Sequence, residues 1–208
     1  VIKEIGPSVV ANIPEIKVYG LKYTINQLIL DGVSEKNLHV LMPHKKMNFT
    51  KELSIFPITV NHSVPDSCMY VLNTPDGAIV YTGDFIIDPS MMGAYHMDLG
   101  KIAYVGKQGV LALLGESSFA ENIGHTSPNH HLSSFFKLLI AKTDGRIIFS
   151  VLPVHLYTIE GIFNAAKNSH RKVVVMGKKL QNIINMAIKE NYINIEEGQI
   201  GDLSNVND

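Results

Sequence analysis

The sequence predicts an α/β protein, and three observations support this fold class. Between residues 38 and 81, short runs of apolar and β-branched residues alternate with turn residues, a pattern typical of strands. From about residue 127 onward, helical and strand-like patterns alternate, which indicates βαβ units around a parallel sheet. With 208 residues, of which 46% are hydrophobic, the chain has enough apolar side chains to bury a core.

The first half is predicted to form a helix, four strands, a second helix and a fifth strand. An amphipathic pattern at residues 22–30, followed by Gly32, predicts a short helix that ends at a glycine. Thr-Pro-Asp-Gly at residues 74–77 predicts a tight turn and therefore a hairpin. Asp98 and Gly109 are typical of the two ends of a helix. The predicted strands are residues 38–42, 53–60, 68–73, 78–81 and 110–114, the last of them buried.

The second half is predicted to alternate between helices and strands, as a parallel sheet requires. The expected domain boundary lies at residues 124–129, with one domain at residues 1–124 and another at residues 125–208. The predicted helices are residues 129–141, 156–168 and 178–191, and the predicted strands are residues 146–150 and 172–176.

Composition limits the class of protein. The formal net charge of −1 means that a nucleic-acid partner would have to be bound by a local basic patch. The single cysteine, Cys68, excludes an internal disulfide and is expected to be a small buried residue in a reducing compartment. Neither a secretory signal nor a membrane-spanning stretch is recognised, so the chain is expected to be cytoplasmic. Because it begins at Val1 without methionine, it is expected to be a piece of a longer protein.

Two possible metal ligands follow apolar runs in the first half. His62 follows the run at residues 55–60 and Asp84 the run at residues 78–81, so each is expected at the rim of a sheet. Imidazole suits a cation such as Zn²⁺ and a carboxylate can bridge two cations, so the pair indicates the beginning of a hydrolytic metal centre. A second interpretation stays open, in which His62 is a loop histidine bonded to backbone and Asp84 is a turn residue.

Three motifs together resemble a known family. They are His-Ser-Val-Pro-Asp-Ser at residues 62–67, the hairpin sequence at residues 73–85, and Gly-Val-Leu-Ala-Leu-Leu-Gly-Glu-Ser-Ser at residues 109–118. In this order and separation they resemble ribonuclease J, a β-CASP ribonuclease of the metallo-β-lactamase superfamily, and the resemblance covers about residues 53–192. It implies part of an αββα metallo-β-lactamase domain followed by the first part of a β-CASP domain.

The resemblance implies a role in RNA maturation and decay, through two-metal hydrolysis of phosphodiesters in exonuclease and endonuclease modes. It implies that His62 and Asp84 bind the divalent metals, Zn or Mn, with Asp84 as the bridging carboxylate. It also implies that Glu116 is a catalytic acidic residue that supports the metal centre and protonation. The alternative for Glu116 is a helix-capping acid after the preceding strand.

The resemblance places a substrate-binding loop at Pro153, Val154 and His155, where the family contacts the RNA backbone. Val154 and His155 stand where Ser and Asn are usual, and Thr158 where Arg is common, which reduces the capacity to bind phosphate. His155 can still bond phosphate or stack on a base, or can be a strand-end histidine without a ligand.

The metal ligands that the family gathers from an upstream His-x-His-x-Asp-His run are not found in this sequence. Two explanations stay open: the chain is a fragment, or its parent is a degenerate paralogue. In either case the chain alone is expected to be inactive. The alternative function is a non-catalytic, RNA-binding partner subunit that forms an oligomer with an active ribonuclease J paralogue. A weaker alternative is a hydrolase of the same superfamily that acts on a small ester.

A run of basic residues gives one electrostatic clue. Between Gly161 and Lys189 there are six Lys or Arg residues and no acidic residue. Such a face would steer RNA toward a cleft, although a solvated helix surface is the more usual explanation of such a run. The six residues are Lys167, Arg171, Lys172, Lys178, Lys179 and Lys189.

Overall fold

The structure is a computed structural model and describes residues 13, 15–118, 120–124, 130–202 and 204. Its helices and its parallel and antiparallel strands confirm the predicted α/β class. The described residues form two compact units, the first within Val1–His62 and Asp66–Thr126 and the second within Ser63–Pro65 and Ser127–Asp208. Most of the predicted boundary, residues 125–129, lies outside the described residues.

The first unit contains a small parallel sheet and a larger mixed sheet. In the small sheet, β1 (Val18–Gly20) pairs with β2 (Leu38–Val40), and α1 (Lys22–Leu30) connects them. The helix at residues 22–30 is therefore confirmed, and Gly32 follows it with the positive φ of 87° expected of a glycine after a helix. The strands of the larger sheet are β3 (Met47–Asn48), β4 (Ser54–Thr59), β5 (Cys68–Thr74), β6 (Gly77–Tyr81) and β7 (Ala112–Leu114), in that spatial order.

The strand directions of the larger sheet are fixed by its connections. β3, β4, β5 and β6 are successively antiparallel, and β7 is parallel to β6. The parallel pairing requires a crossover, which includes α2 (Leu99–Gln108). Asp98 and Gly109 cap this helix as predicted. β4, β6 and β7 therefore run in one direction and end at the same edge of the sheet.

The hairpin between β5 and β6 is confirmed, with Thr74 opposite Gly77. Gly77 has a φ of 140°, and a Cβ atom there would come within 3.0 Å of the Leu111 Cβ atom. Glycine is needed at this position because of both the backbone conformation and the approach of the segment before β7.

One face of the larger sheet is covered by α2. Ile102 and Val105 of α2 pack against the core cluster, and Cys68 is buried in a neighbouring cluster, as predicted. Burial raises the pKa of the Cys68 thiol to about 12, so this thiol stays protonated. The buried residues of the main cluster are Ile58, Val60, Met69, Val71, Val80 and Met97.

The prediction that β7 is buried was wrong. Leu113 and Leu114 are 67% and 53% exposed. The physical reason is that β7 is an edge strand, paired on one side only, so its apolar sequence does not imply that other elements cover it in this structure.

The second unit contains α3 (His130–Lys142), α4 (Leu156–Asn168) and α5 (Lys178–Lys189), so all three predicted helices are confirmed within two residues at each end. α3 and α4 pack together through a shared apolar cluster. Among the described residues of both units, none belongs to a helix long and apolar enough to cross a membrane.

The predicted strands at residues 146–150 and 172–176 were wrong. Neither segment belongs to a hydrogen-bonded ladder, and only Val173 makes an isolated parallel bridge, with Ile200. Ile147, Phe149 and Val173 pack against the cluster of α3 and α4 as strand residues would. Their apolar pattern thus correctly indicates side chains in the core. A strand also needs an adjacent strand that forms hydrogen bonds with its backbone, and the pattern does not indicate one.

Asp98 provides a pH-dependent cap for α2. Its carboxylate accepts hydrogen bonds from the Lys101 backbone N–H at 2.9 Å and from Lys101 Nζ at 2.6 Å, and the His44 ring lies 3.3 Å away. The bond from the Lys101 side chain, followed by the backbone bond, lowers the pKa of Asp98 from its ordinary value of 3.8. The ionised carboxylate therefore stabilises the folded state above pH ~4, and this contribution is lost as the pH falls through the lowered value.

We expect Asp98→Ala to lower the free energy of unfolding at pH 7 by about 1 kcal/mol, because it removes the cap. Asp98→Asn keeps an acceptor for the Lys101 N–H and should cost less. Urea denaturation followed by circular dichroism measures both. The difference between wild type and Asp98→Asn should shrink as the pH falls below 4, and a difference that stays constant down to pH 2 would exclude this account.

Candidate functional site

The three predicted residues of the first unit lie at one edge of the larger sheet. His62 follows the end of β4, Asp84 follows β6 and Glu116 follows β7. Since these strands run in the same direction, their carboxyl ends meet at this edge. The topology therefore gathers three residues that are far apart in the sequence.

Asn61 connects the end of β4 to the segment that follows Asp84. Its side chain donates from Nδ2 to the carbonyl of Tyr95 at 2.6 Å and accepts at Oδ1 from the N–H of Asp88 at 2.9 Å. Its own carbonyl accepts from the N–H of Ile86 at 2.9 Å. Asn61 is 1% exposed, so removing its amide would take these hydrogen bonds from buried backbone groups, at roughly 1 to 3 kcal/mol for each group.

Thr82 makes the corresponding connection between β6 and β7. Its backbone N–H donates to the carbonyl of Leu114 at 3.1 Å, and its hydroxyl accepts from the N–H of Glu116 at 3.1 Å. The hydroxyl donates to the carbonyl of Gly83 at 2.9 Å. Buried Thr82 therefore anchors the backbone just before Asp84 and the backbone of Glu116 at the same point.

The His62 ring is partly buried, whereas Asp84 is exposed. Burial lowers the pKa of the His62 imidazole, and the negative charge of Asp84 opposes this shift. The imidazole is neutral at neutral pH, which is the form that binds metal ions.

Glu116 is fully exposed, and its carboxylate is engaged by its own loop. It accepts a hydrogen bond from the N–H of Ser118. Hydrogen bonds from the Ser118 side chain, and then from its backbone, hold the pKa of Glu116 below its ordinary value. The carboxylate therefore stays ionised at neutral pH, and it caps a turn after β7 in the position where a helix cap was the alternative.

These donors fit a divalent cation in kind but not in number. An uncharged imidazole and a carboxylate are both common ligands of Zn²⁺. Within the described part of the chain, however, no three His, Cys, Asp or Glu side chains form a group that could hold a metal ion. The described residues do not complete a coordination shell, and no step of a reaction follows from a metal bound to them alone.

The predicted RNA-binding residues lie in the second unit, before α4. Pro153 and Val154 form a turn, and His155 is the residue at the N-terminal end of α4. Val154 is only 8% exposed, so its side chain packs into the unit, and its carbonyl accepts from the N–H of Leu156 at 2.9 Å. The N–H of Tyr157 donates to the carbonyl of Ser63 at 3.2 Å, within this unit.

Lys167 and Arg171, which belong to the predicted basic run, are held by other parts of this unit. Lys167 forms an ion pair with Glu196, and the Arg171 guanidinium donates to the carbonyls of Thr143 and Gly145. Lys178 is exposed at the first turn of α5. The run of basic residues is thus partly structural, which sequence alone did not reveal.

Sequence reasoning missed Asn61 and Thr82. Their hydrogen-bond partners are mostly backbone atoms more than 25 residues away, as in the bonds from Asn61 to Tyr95 and from Glu116 to Thr82. No spacing rule identifies such partners. The available signal was position alone, because each residue directly follows an apolar run.

Comparison with known proteins shows what this chain is similar to. The family model described as "Ribonuclease J, beta-CASP domain" matches residues 144–208. The proteins named Ribonuclease J 2 from Staphylococcus saprophyticus and Staphylococcus aureus strain NCTC 8325 are each 33% identical to this chain, over 185 and 183 residues. Each alignment covers 86% of this chain and 33% of the relative, so the chain spans about a third of the length of these curated relatives.

A solved structure supports the fold. The crystal structure of a protein of unknown function from Enterococcus faecalis V583 aligns with 93% of this chain and 48% of its own, with a TM-score of 0.58. At 19% identity this is a likeness of fold alone. The relatives give the more specific likeness: the chain is similar to Ribonuclease J 2 proteins along 86% of its length, and residues 144–208 match the model of the ribonuclease J beta-CASP domain.

Proposed function

We propose that the chain is part of a ribonuclease J-type protein that processes and degrades RNA in the cytoplasm by metal-dependent hydrolysis of phosphodiester bonds. The observation that carries this proposal is the 33% identity to proteins named Ribonuclease J 2 along 86% of the chain. The proposed division is residues 1–124 as part of a metallo-β-lactamase domain and residues 125–208 as the N-terminal part of a β-CASP domain.

In this proposal, His62 and Asp84 contribute ligands to a centre of divalent metals, Zn or Mn. Their position at one sheet edge and the neutral state of the His62 ring support these roles. Glu116 would act from the same edge as an ionised carboxylate that supports the centre. Bound divalent cations would supply hydroxide and neutralise charge on the leaving oxygen.

Pro153, Val154 and His155 would line the path of the RNA. Val154 would shape this turn from within, since its side chain is buried, and His155 would act through its ring. The exposed Lys178 of the same unit would attract the phosphate backbone.

A second candidate function is a non-catalytic subunit that binds RNA and an active ribonuclease J paralogue in a hetero-oligomer. The residues Val154 and His155, in place of hydrogen-bonding Ser and Asn, favour this candidate. Size-exclusion chromatography with a paralogue from the same organism separates the two functions. A stable complex of the chain with the paralogue in the absence of RNA supports the non-catalytic subunit. If no such complex forms, or if the chain associates only with itself, the result supports the ribonuclease.

We expect the 208-residue chain alone to bind less than one equivalent of Zn or Mn tightly, because its described donors do not complete a site. Elemental analysis after dialysis measures this. His62→Ala and Asp84→Ala should each remove the residual binding, whereas His170→Asn, at an exposed histidine of the other unit, should not change it. Two tightly held ions per chain would contradict the proposal.

We expect the pKa of His62, measured by NMR titration, to lie below 6.5 because the ring is buried. Asp84→Asn should lower this pKa further, since the Asp84 charge raises it. Asp76→Asn is the matched control, because Asp76 lies in the β5–β6 hairpin at the opposite edge of the sheet. An unchanged His62 pKa in Asp84→Asn would show that the two side chains do not share a site.

We expect the chain to bind 5′-monophosphorylated RNA without cleaving it. Lys178→Gln should reduce the slope of log affinity against log salt by about 0.7, the value for one contact with single-stranded nucleic acid. Lys167→Gln should have a smaller effect, because Lys167 is already paired with Glu196. Fluorescence anisotropy measures binding and gel electrophoresis measures cleavage. Degradation of the RNA by the chain alone would contradict the proposal.

A further inference from the structure

We infer that Asn61 is a positioning residue whose side chain sets the separation between His62 and Asp84. This inference rests on the proposed function, in which these two side chains act together. Asn61 precedes His62 directly, so its backbone position fixes where the imidazole begins. Its hydrogen bonds reach the segment that carries Asp84.

The backbone around Asp84 is held at two points. Before Asp84, Thr82 is anchored to the end of β7 by its bond to the carbonyl of Leu114. After Asp84, Ile86 and Asp88 are anchored to Asn61 by two separate bonds. Asp84 therefore lies on a short segment that is anchored at both ends. Asn61, the residue next to His62, makes the hydrogen bonds at the second of these anchors.

The segment held by Asn61 has further hydrogen bonds of its own. Asp88 is 1% exposed, and its carboxylate accepts from the N–H of Ser90 at 3.0 Å and from the Ser90 hydroxyl at 2.6 Å. A shift of Asn61 would therefore move its two partners, Ile86 and Asp88, and with them the segment that follows Asp84.

The chemistry of the position requires an amide. One side chain must donate to the carbonyl of Tyr95 and accept from the N–H of Asp88 in a buried site. Aspartate accepts but cannot donate when ionised, leucine does neither, and alanine leaves both backbone groups without this partner. Asparagine has one donor group and one acceptor on a short stem, which matches the two partners.

The chain offers a matched control in Asn37. This side chain is also buried, and its Nδ2 donates to the carbonyl of Ile16 at 2.8 Å, in the same kind of long-range bond. Asn37 belongs to the 3-10 turn before β2 in the small sheet. Asn37→Ala therefore removes a comparable buried bond without touching the edge that carries His62.

The test is paramagnetic broadening of amide signals by Mn²⁺ in the 15N-labelled 208-residue chain. In wild type and in Asn37→Ala, signals next to His62 and next to Asp84 should lose intensity together, at one Mn²⁺ midpoint. In Asn61→Ala this midpoint should rise about tenfold, the usual effect of losing a residue that orients a ligand. Asn61→Gln, which keeps a donor and an acceptor on a longer stem without adding charge, should fall between wild type and Asn61→Ala, and it replaces Asn61→Ala if that variant does not fold.

The outcomes separate the inference from the function on which it rests. An Asn61→Ala midpoint equal to that of wild type overturns the positioning role and leaves the proposed ligands intact. An equal rise in Asn37→Ala also overturns it, because the effect would then follow stability alone. If the wild-type signals near His62 and Asp84 do not broaden together, the shared site and the inference both fail. Both also fail if these signals still broaden together in His62→Ala.

Discussion

The direction of three strands is the constraint on which the candidate site depends. β4 and β6 run in the same direction because β5, which lies between them, is antiparallel to both. β7 runs in this direction too, because the crossover that contains α2 makes it parallel to β6. Their carboxyl ends therefore share an edge, although the residues that follow them span positions 62 to 116. If β7 paired antiparallel, Glu116 would lie at the far edge from His62.

Within that edge, buried polar residues hold the exposed charged ones. Asn61 and Thr82 are almost fully buried, and their hydrogen bonds fix the backbone on both sides of Asp84. Asp84 and Glu116 remain exposed, where ionised carboxylates are well solvated. The two carboxylates thus stay at the surface, and the buried neutral side chains of Asn61 and Thr82 hold the backbone that carries them.

Local sequence patterns predicted much of the fold. They did not predict features that depend on a neighbouring segment of the structure, such as strand pairing and exposure. The helix at residues 22–30, the caps Asp98 and Gly109 and the hairpin at Gly77 follow from the residues themselves, and the structure confirms them. The segment at residues 146–150 has a strand-like pattern but lacks a paired neighbour, and the exposure of β7 depends on what lies beside it. Likewise His62 and Asp84 were identifiable from their place after apolar runs, whereas Asn61 acts through backbone atoms that no motif specifies.

The most direct measurement of the central claim, that one sheet edge gathers the side chains proposed to bind metal, is anomalous X-ray diffraction from crystals of the chain soaked in MnCl₂. The account predicts an anomalous peak between the His62 ring and the Asp84 carboxylate, at partial occupancy. A peak that contacts only one of them, or manganese bound only elsewhere on the chain, would contradict it.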